Sequence, residues 1–344
     1  MRSEYARSTA LVVALTALSV LALPGSASAA RPDDEGPGVY LLLVDGASVP
    51  LEEALQSLEG ALGAGDWVVA GRMDPTPGPS ECAFRSGVIV AYPRDYAARL
   101  MASGQTAAFA LPVRFVVWED ENGVSVGATN PMNLNRTIVD EDTSPQDWAD
   151  VATSIRTVAE AAFPGQTADG EYGQHREKAR IGRTMGIMAG GKFEDKVEDV
   201  LNIPAPGVTA SVMAKALMQK IPTLPGEWDW ALTPVYLIDL PESGVALVGV
   251  SGRPLERDAF SIVGSGGNEA REDMACPGID HAAAFPIEIL VAKDGDRIRI
   301  AVVDEMYRMK MFFEDAGKMA FAKNMAMPGS IENELKDKIK ASFR

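Results

Sequence analysis

The sequence repeats itself. Residues 110–132 (ALPVRFVVWEDENGVSVGATNPM) lie without a gap on residues 284–306 (AFPIEILVAKDGDRIRIAVVDEM), so that Pro112 matches Pro286 and Met132 matches Met306. The offset is a constant 174 positions. Upstream, Ser86-Gly87-Val88 matches Ser243-Gly244-Val245 at an offset of 157, which places a 17-residue insertion between the two blocks, within Ser261 to Ile279. A chain that carries one pattern twice must fold each copy in a similar way, and neither copy need bury all of its apolar surface alone.

The first copy is the more legible. GVYLLLVD (38–45) is an apolar β-run, and Ser48 and Pro50 then open a helix whose face carries Leu51, Leu55, Leu58 and Leu62. DWVVAGRM (66–73) and SGVIVAY (86–92) follow as strands, with a short helix starting at Pro93. LPVRFVVWE and VSVGAT flank Glu121-Asn122-Gly123, a hairpin signal. Ser144-Pro145 starts a helix through Trp148, Val151, Ile155 and Val158. In the second copy, VTASVMAKALMQKI (208–221) stands for the first helix, 227–240 for the second strand, and two helices close the chain. Each copy reads β-α-β-β-α-β-β-α. The expectation is an α+β protein of two modules, 38–163 and 197–344, with antiparallel sheets, helices on one face, and a pseudo-twofold that lets the copies cover each other. Residues 164–196 read as a connector with a basic helix from His175 to Arg183, whose Arg176, Lys178, Arg180 and Arg183 form a solvated face.

Residues 1–29 read as a cleaved signal peptide. Arg2 and Arg7 precede an apolar stretch of about 15 residues, too short to span a bilayer, and Ala27-Ser28-Ala29 is a small-x-small cleavage pattern. The expected location is periplasmic or extracellular, with no membrane insertion after cleavage. The formal net charge is −16, the wrong sign for nucleic acid or anionic lipid. Cys82 and Cys276 are the only cysteines. An oxidising compartment permits a disulfide between them, and two buried thiols are the alternative.

The block SGVIVAYPRDYAARLM followed by ALPVRFVVWEDENGVSVGATNPMNL resembles the domain-of-unknown-function family 302. Its marks here are Tyr92-Pro93, Leu111-Pro112, Glu119-Asp120 and Asn130-Pro131. The resemblance covers 38–162 well and 205–343 more weakly. It implies a fold like that of the TATA-box-binding protein, β-α-β4-α, usually assembled as a homodimer. Two copies in tandem would form that dimer within one chain. Asp304-Glu305 stands where the second copy should have Asn-Pro. The resemblance brings no catalytic residues.

The copies differ most where the second has ionisable groups. Hairpin geometry should set Asp280 and His281 beside Asp304, Glu305, Met306 and Met309, with Cys276 nearby, whereas the first copy has Thr106, Ala107, Asn130 and Pro131 at matching places. These residues are the candidate ligand site. Imidazole, thioether and thiolate together suit Cu(I), which makes His281, Met306, Met309 and Cys276 a candidate metal set. The helical spacing of Met309, Phe312, Phe313, Ala316 and Met319 equally fits a core stripe. No Gly-x-Ser-x-Gly, CxxC, CxxCH or HExxH motif occurs. The expected function is a non-catalytic binding or interaction protein for a small ligand or an exported partner. A Cu(I)-handling or redox accessory protein is the first alternative. An enzyme centred on Cys276 or on Asp304 and Glu305 is the second.

Overall fold

The computed structural model describes residues 36–78, 82–140, 145–182, 189–228, 230–264 and 276–344. The expected leader, Arg183, and most of the expected insertion lie outside the described residues.

β1 (Tyr40–Ala47) leads into α1 (Leu51–Ala64), which buries the Leu51, Leu55, Leu58 and Leu62 stripe. β2 (Trp67–Pro77) pairs antiparallel with β3 (Arg85–Pro93). After α2 (Tyr96–Leu100) and a 3-10 turn at Gln105–Ala110, β4 (Val113–Asp120) folds back on β5 (Gly123–Thr129). The turn between them places Gly123 at φ 133°, and its absent side chain leaves room for the Ala47 carbonyl. α3 (Pro131–Val139), α4 (Pro145–Ala162) and β6 (Thr167–Tyr172) complete the first half.

The second half runs β7 (Val197–Pro204), α5 (Ala210–Lys220), β8 (Thr233–Leu240), β9 (Val245–Ser251) and α6 (Arg253–Gly264). A 3-10 turn at Ile279–Ala284 precedes β10 (Ile287–Asp294) and β11 (Arg297–Val303). α7 (Glu305–Phe313), α8 (Gly317–Lys323) and α9 (Ala326–Ser342) end the chain. Among the described residues no helix is long and apolar enough to cross a membrane.

The fold is α+β with two antiparallel sheets. The first has the order β2-β3-β4-β5-β1-β6 and the second β8-β9-β10-β11-β7. With β6 set aside, each strand has a counterpart in the same place. The central strands are buried along nearly their whole length: Ser86–Ala91, Val113–Trp118, Val245–Ser251 and Ile287–Ala292. A strand with one wet face would alternate, so these sheets are covered on both sides. In the first half α1 packs on α4 and on strands β2, β3 and β4. The other cover comes from the opposite half. The turn Ile279–Ala284 lies against β3 and β4, and the turn Gln105–Ala110 lies reciprocally against β9 and β10. The apolar side chains of both halves form one continuous core.

The connector departs from its expected form. Thr167–Tyr172 is a strand that adds to the edge of the first sheet, pairing Tyr172 with Tyr40 and Thr167 with Val44. No helix forms over 175–182. Arg176, expected on a solvated face, is buried. Its guanidinium donates to Asn133 Oδ1 (2.9 Å), to the Lys310 and Met311 carbonyls (3.0 and 2.8 Å), and reaches Glu314 at 3.4 Å. Burial draws its pKa down, and Glu314 works against that pull. A guanidinium has five donors in a planar fork, and Asn133 with the carbonyls at the end of α7 engages both of its terminal nitrogens.

Candidate functional site

β4 and β10 each follow a 3-10 turn, and each places a charged residue second, ahead of an apolar run. These are Arg114 and Glu288, which stand 174 positions apart. They meet. The Arg114 guanidinium donates to Glu288 Oε1, with both side chains about 95% buried (4% and 5% exposed). Tyr236 Oη on β8 donates to the same carboxylate oxygen at 3.1 Å. Burial pushes the Tyr236 phenol far up, and the neighbouring Glu288 charge adds to this. Desolvation opposes the charge on Arg114, but Glu288 and Tyr236 outweigh it and hold that guanidinium above its ordinary value.

α3 and α7 follow β5 and β11 and approach this pair from both halves. Each has a side-chain cap: Asn130 accepts from the Met132 N–H at 3.0 Å, and Asp304 accepts from the Tyr307 N–H at 3.0 Å. One turn into α7, Arg308 extends across the interior and donates to the Ala284 and Pro286 carbonyls. Two cations lie over the Phe312 ring, with the Arg308 guanidinium carbon 5.3 Å and that of Arg114 5.2 Å from its centroid. Glu305 is 1% exposed and stands 3.5 Å from Arg308. Neither of its oxygens accepts a hydrogen bond among the described residues. Burial pushes its pKa up to about 7 despite Arg308.

Between these elements lies a narrow cleft, about 470 Å³ with the open solvent at its mouth included and with enclosed room of about 20 Å³, little more than a water molecule. Phe109, Leu134, Ile138, Phe193, Met311 and Phe312 supply its apolar lining. Its polar lining includes Arg114, Asn135, Glu288 and Arg308.

The residues singled out from the sequence are not gathered into one pocket. Asp304 is a helix cap with Lys196 3.8 Å away, and the neighbouring Glu305 faces Arg308. Asp280 and His281 point elsewhere. His281 is fully buried, with Nδ1 3.0 Å from Asp280 and Nε2 3.1 and 3.2 Å from the two oxygens of Asp315. Its ring stacks on Phe313 at 5.7 Å and meets the Tyr40 ring edge-on at 5.1 Å. Both ring nitrogens thus face carboxylate oxygens. Met309 is buried in the core and Met306 packs against its edge. Cys276 is bonded to Cys82, with the Cα atoms 5.6 Å apart. This bond joins the β2–β3 loop to the segment before β10, and it leaves neither sulfur as a thiol. Among the described residues no group of three or more His, Cys, Asp or Glu side chains is arranged to hold a metal ion.

Sequence reasoning missed Arg114, Glu288 and Arg308. The signal for the first two was present as a single charge inside each matched strand, in PVRFVVW and PIEILVA. Charged residues are almost never fully buried unless paired.

Residues 46–162 match the family model of Domain of unknown function DUF302. The match begins at the end of β1, takes in β2 to β5 and α1 to α4, and ends before β6. Among solved structures, the uncharacterized conserved protein DUF302 from Bacillus stearothermophilus is similar at 13% identity. The comparison covers 36% of this chain and 98% of that chain, with a TM-score of 0.30. No curated protein matches the chain.

Proposed function

We propose that this chain is an exported, non-catalytic binding protein. Residues 197–344 would be a second, diverged copy of the DUF302 module, and a small ligand would lie in the cleft between the copies. The observation that carries this reading is the Arg114–Glu288 pair. Positions equivalent by sequence offset meet at the floor of the cleft, as they do at the centre of a twofold interface. The shared strand order supports the duplication. A concave, largely apolar pocket with a few convergent polar groups is the usual form of a small-molecule site.

Thermal-shift screening of the purified protein against a chemically diverse set of small molecules tests the reading. Leu134→Trp, which fills the cleft from α3, is screened in parallel. Ligands that raise the Tm of the parent and leave the variant unmoved are expected. If every stabilising molecule acts equally on both proteins, the cleft is not the site. Export is checked separately, by the mass of protein recovered outside the cytoplasm, which should begin at Ala30.

A further inference from the structure

We infer that the cleft takes a small monocarboxylate with an apolar body, the carboxylate set against Arg308 and Arg114 and the body against Phe109, Leu134, Ile138 and Phe193. This deepens the binding-protein reading and rests on it. The first ground is charge. The titratable side chains lining the cleft are two guanidiniums and one carboxylate, so its walls carry one positive charge in excess. Both guanidiniums are 4% exposed, where water contributes little to compensating a charge. Glu288 is taken by Arg114 and Tyr236. The other carboxylate near Arg308 is Glu305, which stands off at 3.5 Å and whose burial favours its neutral form up to about pH 7. Arg308 is left with backbone carbonyls and an aromatic face as its close partners.

The second ground is hydrogen-bonding capacity. The Nε–H groups of Arg114 and Arg308 have no acceptor among the described residues. Arg72 and Arg176 share this feature elsewhere in the fold, but Arg114 and Arg308 are the two that line the cleft, where a ligand would supply the acceptor. A modest rotation of either guanidinium would present its planar fork to two oxygens of one ligand, the geometry in which arginine holds carboxylates. One excess charge matches a carboxylate rather than a phosphate dianion. The third ground is the remaining lining, mainly aromatic and aliphatic, which rewards burial of hydrocarbon.

Isothermal titration of the intact protein with octanoate and 4-phenylbutyrate tests this, with octanamide, octylamine and inorganic phosphate as matched probes. The carboxylates should bind at least about tenfold more tightly than the amide, the ratio expected for one hydrogen bond to a charged group. Octylamine and phosphate should bind more weakly still. Arg308→Gln should bring the carboxylate-to-amide ratio close to one. Selectivity in the unmutated protein decides the matter if that variant does not fold. If octanamide or octylamine binds as well as octanoate, and Leu134→Trp abolishes that binding, the carboxylate assignment fails while the cleft reading stands. If no probe of any charge binds, the carboxylate assignment fails, and the thermal-shift screen decides the cleft reading separately.

Discussion

Replacing Glu305 by glutamine should stabilise the protein, and only above a defined pH. A carboxyl whose pKa rises from its usual 4.5 to about 7 on folding binds a proton more tightly in the folded state. Between those two values the folded chain holds more protons than the unfolded chain, so stability falls as pH rises through the window and stays lower above it. The shift of roughly two and a half pH units corresponds to about 3 kcal/mol. The physical origin is visible in the structure: a side chain 1% exposed, with no hydrogen bond to either oxygen and a single guanidinium at 3.5 Å. Glu332, whose carboxylate accepts from the Glu305 N–H at 3.1 Å, adds a second negative charge nearby. Glutamine reproduces the neutral form at every pH. Urea unfolding followed by tryptophan fluorescence, at fixed ionic strength and with the disulfide intact, gives the comparison. Parent and Glu305→Gln should be equally stable near pH 4. They should separate progressively above pH 5, and the variant should be about 3 kcal/mol more stable at pH 8. A gap that does not depend on pH, or a variant less stable at pH 8, would refute the reasoning. Glu305 would then be ionised and matched to Arg308, and the positive excess assigned to the cleft would vanish with it.

Three further outcomes are expected. Arg114→Met or Glu288→Met alone should cost about 3–5 kcal/mol by leaving a buried charge unpaired, whereas the double replacement should be more stable than either single one in urea titrations. Cys82→Ser with Cys276→Ser opens a loop spanning 194 positions and should cost about 5 kcal/mol in the chain-entropy model; an equal loss on reducing the parent would confirm the bond as the cause. Gly249→Ala places a Cβ 2.2 Å from the Tyr236 ring, so it should destabilise by about 1–3 kcal/mol and shift the Tyr236 absorbance as the phenol leaves Glu288.

The hairpin β4–β5 and its counterpart β10–β11 were legible because continuous apolar runs broken by Asn-Gly or Asp-Gly admit few other readings. The α1 stripe was legible for the same reason, periodicity matched to burial. α3 has no counterpart in the expected element order, although Asn130-Pro131 is an N-cap followed by an N1 proline. β6 gave only a weak signal. Its residues, TADGEY, set Thr167, Asp169 and Glu171 against Ala168, Gly170 and Tyr172, but none is buried, and its place comes from backbone pairing along the open edge of β1. The buried roles of Arg176 and His281 were unreadable for a different reason. Arg176 depends on carbonyls 134 and 135 positions away and His281 on Asp315, and nothing local marks a cation as one that will be enclosed. Cys82 and Cys276 posed the same problem, since their distance in sequence says nothing of their distance in space.

The proposed duplication also explains why the two modules would be fused rather than left as a dimer of identical chains. A symmetric pair of first modules would bring Arg114 against its own copy, and a symmetric pair of second modules would do the same with Glu288. Two like charges buried at one contact would disfavour either assembly strongly. Only two unlike copies can place opposite charges there, and a covalent link keeps them together at any concentration. Under the same proposal, divergence would make the cleft one-sided. Arg308 lines it from α7, and the matching position in α3 is Leu134. A homodimer would present two such arginines or none. On that proposal the fused chain would present one, opposite Leu134, and a ligand with one charged end and one apolar end would have a direction in which to lie.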